Sequence, residues 1–513
     1  MIGLTGSRRI YMVIIVAVCV LIALVALLMR TDRPATATEG KVVFFCAAGM
    51  RLPVESIRSE YERERGVMIE VQYGGSNTLL NQLQISRIAD LYLAADDAYL
   101  EIARDKGLIK ETIPIASMRP VIVVPAGNPK GIHSIDDLLR ENISVALGNP
   151  DQAAIGKRTR EVLRKSGHWE KLEIHTTENG VFKPTVPDVA NSVKIGSVDA
   201  AVVWSATASQ YPELETIRTP ELDAGASVIT VGATAFSQSP ALALDFARYL
   251  AGSNRGLPVF ESTGYEPVDG DPWEKYPEIT FFSGSVNRGA LEPIIKRFEQ
   301  REGVLVNTVY NGCGILTAQM KAIDRKQESG FPDTYMACDT YYLDVVQDLF
   351  EDGLRVSDTE IVIVVAEGNP KNIKSLTDLT RPGIRLAIGQ PDQCTIGILS
   401  KRLLEHAGLY HTLIENNVVT QTPTSSMLVP AVTTSAADAV LAYRTDTLAE
   451  NAKLDVVAID SPRAKATQPF AVSRSTEYKQ ISKRLLETIR NSRSDFESAG
   501  FIWRLNKEQT PEQ

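Results

Sequence analysis

Two stretches decide how this chain is read: Val43-Phe44-Phe45-Cys46-Ala47 and Thr280-Phe281-Phe282-Ser283-Gly284, one apolar pattern written twice at an offset of 237 residues. Working outward, Gly66-Val67-Met68-Ile69-Glu70-Val71-Gln72-Tyr73 returns at the same offset as Gly303-Val304-Leu305-Val306-Asn307-Thr308-Val309-Tyr310. Gly127-Asn128-Pro129-Lys130 returns as Gly368-Asn369-Pro370-Lys371, and Gly148-Asn149-Pro150-Asp151-Gln152 as Gly389-Gln390-Pro391-Asp392-Gln393, both at 241. Phe260-Glu261-Ser262-Thr263-Gly264-Tyr265 pairs with Phe496-Glu497-Ser498-Ala499-Gly500-Phe501 at 236. Matches in constant order at a nearly constant offset identify a tandem duplication.

Each copy alternates strand and helix patterns. Val42 to Phe45 is a buried-strand run; Val54, Ile57 and Tyr61 then recur at helical spacing, and Gly66 supplies the stop. Copy two repeats this with Leu291, Ile294, Ile295 and Phe298 before Gly303. Later runs (Val121 to Val124, Val145 to Leu147, Ala200 to Val203) alternate with helical stretches such as 157–163. The alternation predicts an α/β fold with mainly parallel sheets, in which ligands meet the turns from strand ends into helix starts.

The 513 residues, 44% hydrophobic and 23% charged, exclude disordered and low-complexity classes. A net charge of -9 argues against a nucleic-acid partner. Ile10 to Met29 is an uncharged run of 20 residues, long enough at about 1.5 Å per residue to cross a bilayer core. Arg8 and Arg9 before it place the N-terminus in the cytoplasm and the body outside. An uncleaved membrane anchor is the favoured reading. A long signal cleaved after Ala37 is the alternative, and Cys19 in mid-run argues against a lipoprotein signal. The organisation expected is a cytoplasmic 1–9, an anchor or signal 10–29, a linker 30–40, a module 41–267, a linker 268–277, a second module 278–505 and a tail 506–513.

The chain has no H-E-x-x-H, C-x-x-C, G-x-S-x-G or P-loop signature, so no enzymatic activity is expected. The five histidines, His133, His168, His175, His406 and His411, occupy non-equivalent positions and read as surface or capping residues. What both copies share is small and polar residues at equivalent turns: Ala47-Ala48-Gly49 and Gly74-Gly75-Ser76-Asn77-Thr78, then Gly284-Ser285-Val286 and Asn311-Gly312-Cys313-Gly314. Free N–H groups at such helix starts favour an anion without any Lys or Arg.

At these residues the chain resembles the periplasmic molybdate-binding proteins of ABC transporters, within the type II solute-binding fold. The likeness runs through Phe45 to Met50, Tyr73 to Leu79, Ala89 to Asp96, Val145 to Gly156 and Val186 to Trp204, and recurs in copy two. It implies two tandem modules, each of two α/β lobes on a hinge, capturing a small oxyanion such as molybdate or tungstate for an ABC permease. In the family two hydroxyl residues of one lobe, and backbone N–H groups and a tyrosine of the other, hold the ligand. The first hydroxyl position falls on Gly49 and Val286, with Ser285 adjacent; the second falls on Ser76 and Cys313. The backbone donors fall near Ile155 and Val186, and near Ile396 and Ser425 beside Thr395; the tyrosine position is Trp204 in copy one and Tyr443 in copy two. Copy two keeps more polar groups. The lost hydroxyls leave two alternatives open: an anchored envelope sensor or interaction protein with degenerate pockets, and a binder of a metal cation or small organic solute. Cys46, Cys313, Cys338 and Cys394 lie beside the pocket turns, where thiols fill apolar strand ends, pair, or bind a soft metal. Asp96, Asp97 and Asp339 read as helix caps.

Overall fold

The computed structural model describes residues 40–326 and 329–505. The expected anchor at 10–29, the flanking 1–9 and most of the 30–40 linker, and the tail 506–513 lie outside the described residues. Among those described, no helix is long and apolar enough to cross a membrane.

The first copy contains β1 (Lys41–Ala47), β2 (Met68–Gly74), β3 (Leu91–Ala94), β4 (Ile109–Met118), β5 (Pro120–Pro125), β6 (Val145–Gly148), β7 (Gly180–Lys183), β8 (Ala200–Trp204), β9 (Leu214–Ile217), β10 (Ser227–Thr234) and β11 (Glu266–Pro267). They form two sheets, β11-β4-β10-β3-β1-β2 and β7-β6-β8-β5-β9, the cores of two lobes. β1 is buried almost throughout, as its unbroken apolar run requires. The helix Arg51–Arg65 behind it buries Val54, Ile57 and Tyr61 and ends at Gly66, whose φ of 67° lets its N–H reach Glu62 O.

The second copy contains β12 (Glu278–Gly284), β13 (Leu305–Asn311), β14 (Thr334–Met336), β15 (Leu354–Ala366), β16 (Leu386–Gly389), β17 (Val418–Thr422), β18 (Ala439–Tyr443), β19 (Leu454–Ala458), β20 (Lys465–Val472) and β21 (Ile502–Trp503). Details recur between copies: Asp90 accepts from Val43 N at 2.9 Å and Asp333 from Thr280 N at 2.7 Å.

Both sheets are mixed, unlike the mainly parallel ones expected. β1 runs parallel to β2 and β3, but β10 runs antiparallel to β3. The chain crosses between lobes twice in each copy, so the returning strand enters its sheet from the opposite end. In copy one the outward crossing breaks at Arg119 between β4 and β5; in copy two it is the single 13-residue strand β15, which pairs with β20 in one lobe and with β18 and β19 in the other.

The copies pack together. Helix Pro240–Leu250 of the first lies against helix Arg288–Glu302 of the second. Residues 268–277 are tied down along their length, from Val268 N on Ile115 O to Leu305 N on Pro277 O. Trp273 is buried with its indole N–H on Asp245, and Asp271 accepts the N–H groups of Gln480 (2.8 Å) and Ile481 (2.9 Å), where helix Lys479–Arg490 begins.

Candidate functional site between the lobes

In copy one, Gly49, Ser76, Ile155, Val186 and Trp204 all line one cavity between the lobes, with Ala47, Ala48, Gly74, Gly75 and Thr185. Four chain turns converge there: the 3-10 turn Ala48–Met50 and helix Ser76–Ser86 from one lobe, and helices Ala154–Lys165 and Val186–Lys194 from the other. The caps Gly75 and Ala153 offer no side-chain acceptor, so first-turn N–H groups face the cleft, where Asn77 N donates to Gln152 O of the other lobe at 3.2 Å. The cavity is only about 10 Å³, room for about one water.

The lobes meet directly around it. A Cβ on Gly75 would lie 2.5 Å from Gln152 O, and one on Gly49 would lie 2.9 Å from Val186 Cγ1, so the lost hydroxyl has no room in this closed arrangement. Ser76 Oγ accepts from Ala95 N at 3.2 Å, which fixes the hydroxyl oxygen and leaves its O–H to donate. Asp96 caps helix Asp97–Asp105 as expected, and also pairs with Arg158 of the opposite lobe at 2.7 Å. That interlobe ion pair was not foreseen. Sequence shows only a capping aspartate and a helical arginine 62 residues apart.

Copy two closes the same way at Gly312, whose Cβ would meet Gln393 O at 2.5 Å and Pro423 O at 2.6 Å. Leu399 stands where copy one has Arg158, so the ionic clasp is missing, and Asp339 instead caps helix Thr340–Asp344 and accepts from Thr467 N at 2.9 Å. Val286, Cys313, Thr395, Ile396, Ser425 and Tyr443 are buried, and Ser285 is half-buried at the turn Ser285–Asn287. The Thr395 and Tyr335 hydroxyls are turned toward Cys313. Tyr443, buried among Cys338, Asp339, Cys313 and Cys394, has a hydroxyl with no hydrogen-bond partner among the described residues. Burial pushes that phenol well up, so it is a donor at any ordinary pH.

Asp446 is a further group that sequence reasoning missed. Its carboxyl is buried and leans toward the Ser425 hydroxyl, yet Asp446 Oδ2 and Ser425 Oγ both lack a well-formed bond. Burial raises it to about 7. The copy offset held the signal, since Asp446 replaces Thr207, whose hydroxyl lies 3.7 Å from a Cβ on Gly49. Among the histidines, His133, His406 and His411 are exposed as expected, while His175 is buried with a ring nitrogen 2.8 Å from Ile143 O. Among the described residues, no cluster of three metal-ligating side chains occurs.

The sequence matches the model of the bacterial extracellular solute-binding proteins over residues 42–266 and again over 279–502. A relative, the molybdate-binding protein ModA of Mycobacterium tuberculosis H37Rv, is 29% identical over 238 residues, 45% of this chain and 87% of that protein. ModA of Escherichia coli K12 is 29% identical over 147 residues, 27% of this chain and 56% of that protein. Among solved structures, the periplasmic molybdate-binding protein of Azotobacter vinelandii aligns at 17% identity and a TM-score of 0.39, covering 44% of this chain and 98% of that one. With both halves matched in turn, the chain belongs to the bacterial extracellular solute-binding proteins and carries their module twice.

Proposed function

We propose that the chain captures a small tetrahedral oxyanion of the molybdate or tungstate kind outside the cytoplasm and hands it to the permease of an ABC importer, tethered through residues 10–29. Residues 278–505 are the binding module and residues 41–267 its companion. The observation that carries this reading is the buried Tyr443 hydroxyl without a partner in the cleft of module 2, a donor in want of an acceptor. In module 1 the same position is Trp204, beside a cavity of about 10 Å³. The helix starts at Thr395 and Ser425 add backbone N–H donors from the second lobe. The kinship with molybdate-binding proteins supports the ligand class. Gly49 and Trp204, which replace a hydroxyl and the tyrosine, favour a structural or partner-facing role for module 1.

The test is a thermal-shift and calorimetric screen of the full chain with molybdate, tungstate, sulfate, phosphate and divalent metals. Molybdate or tungstate should raise the unfolding midpoint. Tyr443→Phe should weaken binding by about ten- to a hundredfold, the worth of one bond to a charged group, while Trp204→Phe leaves it unchanged. No shift with either oxyanion would sink the reading, and a shift with a divalent metal alone would replace it with cation binding.

A further inference from the structure

Two thiols of one lobe meet on the floor of the module 2 cleft. Cys313 opens helix Cys313–Lys326 and Cys338 follows β14. Their sulfurs are 3.0 Å apart, and Cys338 N donates to Cys313 Sγ at 3.2 Å. Gly284 makes this possible, since a Cβ there would lie 2.1 Å from Cys338 Sγ and 2.8 Å from Cys313 Sγ. In module 1 all three positions differ together: Ala47 for the glycine, and Ser76 and Ala95 for the cysteines, with the Ala95 N–H donated to Ser76 Oγ at 3.2 Å. The other two described cysteines are engaged differently. Cys394 donates toward Gln390 O and Thr422 O, and Cys46 toward Ala47 O.

The paired thiols are unequal. Burial raises Cys313, but the adjoining Cys338 thiol and N–H, and the Thr395 and Tyr335 hydroxyls turned toward it, outweigh burial and leave the pKa below the ordinary thiol value. Its hydrogen bond with Cys313, together with burial, drives Cys338 well up. One sulfur is therefore the thiolate nucleophile and the other the retained thiol that follows it.

We propose that Cys313 and Cys338 form a redox-active dithiol, which exchanges with a small-molecule or protein disulfide to close a disulfide across the floor of the module 2 cleft. Parting of the lobes admits the donor, because both sulfurs are buried in the closed arrangement with Thr395 of the second lobe beside them. The Cys313 thiolate attacks one sulfur of R–S–S–R, forming Cys313–S–S–R and releasing RS⁻. Cys338 gives up its proton to that thiolate and attacks Cys313 Sγ, expelling a second RS⁻, which takes up a proton from water. The protein dithiol is oxidised and the donor disulfide reduced to two thiols. An extracytoplasmic body is where such a disulfide persists. The functional consequence rests on the oxyanion reading above: oxidation removes the negative charge of the Cys313 thiolate from the cleft floor, and module 2 binds the anion more tightly.

The experiment equilibrates the full chain with excess oxidised glutathione, alkylates the remaining thiols and maps the peptides by mass. A Cys313–Cys338 crosslink, with Cys46 and Cys394 alkylated, is the expected result. Cys313 and Cys338 recovered as free thiols, or as two separate glutathione adducts, would overturn the proposal. Cys338→Ser should trap a glutathione adduct on Cys313, and if that variant fails to fold, the wild-type map alone decides. Molybdate thermal shifts on the reduced and oxidised protein separate the two claims. A larger shift on oxidation supports gating, and a shift that is equal in both forms or lost on oxidation refutes it. No shift in either form counts against the oxyanion and leaves the dithiol to the peptide map.

Discussion

At the scale of single residues, the two copies differ where substitutions must travel in groups. Ala47 and Gly284 occupy one position, at the end of the first strand. Alanine fits in copy one because a serine hydroxyl and an alanine stand opposite it, whereas two sulfurs occupy that space in copy two. Gly284 has an ordinary extended backbone (φ −61°, ψ 139°), so steric room alone requires the glycine. Gly284→Ala should therefore cost about 1–3 kcal/mol through overpacking, read as a lower urea midpoint. Adding Cys338→Ala should recover most of that loss by removing the nearer sulfur. Gly289→Ala is the control. It lies exposed in the first turn of helix Arg288–Glu302 with nothing within 4 Å of its added carbon, and should gain about 0.5 kcal/mol by restricting the unfolded chain. A Gly284→Ala protein as stable as wild type would show that the sulfurs do not crowd this strand end.

At the scale of elements, the turn after β18 sets the electrostatics of the second cleft. Asp446 lies in the 3-10 segment Arg444–Lys453, where burial lifts its carboxyl to about 7 with only the Ser425 hydroxyl to offset it. The folded protein thus keeps a proton that the unfolded chain releases near the ordinary carboxylate value. Between about pH 4 and pH 7 the native state binds the extra proton, so this group's contribution to stability falls as pH rises and levels off above about 7. The full drop is a few kcal/mol, since each pH unit between the two titrations contributes about 1.4 kcal/mol. Asp446→Asn should remove that slope, so the variant gains on wild type between pH 5 and pH 8 in urea unfolding; an equal difference at both pH values would refute the burial argument. The same element shows what was legible beforehand. Strands, helices and the turns bearing Gly49 and Ser76 follow from apolar runs, helical spacing and glycine stops, all local signals, whereas Ile155 and Val186 follow from the family resemblance alone. The Asp96–Arg158 pair arises where the lobes meet, and the approach of Cys313 to Cys338 and the burial of Asp446 arise where separate segments of the chain pack together. The mixed sheets also escaped, because strand direction is set by how often the chain crosses between lobes.

At the scale of the whole molecule, a buried ionic junction joins the two modules. Glu302, 1% exposed, ends helix Arg288–Glu302 and lies between Arg248 of module 1 and Arg484 of module 2. Arg484 donates to its two oxygens at 2.8 and 3.1 Å, and Arg248 donates to its carbonyl at 2.7 Å and to its carboxylate at 3.3 Å. Burial alone would raise the Glu302 carboxyl, but Arg484 and Arg248 outweigh it and hold it below its ordinary value. Nearby, Arg301 of module 2 bridges to Glu111 at 2.7 Å and to Thr234 O at 2.9 Å in module 1. Glu302→Ala leaves two guanidiniums buried without their shared counter-ion, a loss of about 3–5 kcal/mol. Because the junction belongs to both modules, that loss falls on their coupling as well as on either core. The wild-type chain should unfold in one calorimetric transition, and the Glu302→Ala chain in two, the first at a clearly lower temperature. Replacing all three members together (Arg248→Met, Glu302→Leu, Arg484→Met) removes the desolvated charges along with their pairing, so it should restore a single transition near the wild-type midpoint. A single unshifted transition in Glu302→Ala would mean that apolar packing between helices Pro240–Leu250 and Arg288–Glu302 couples the modules without help from the charges.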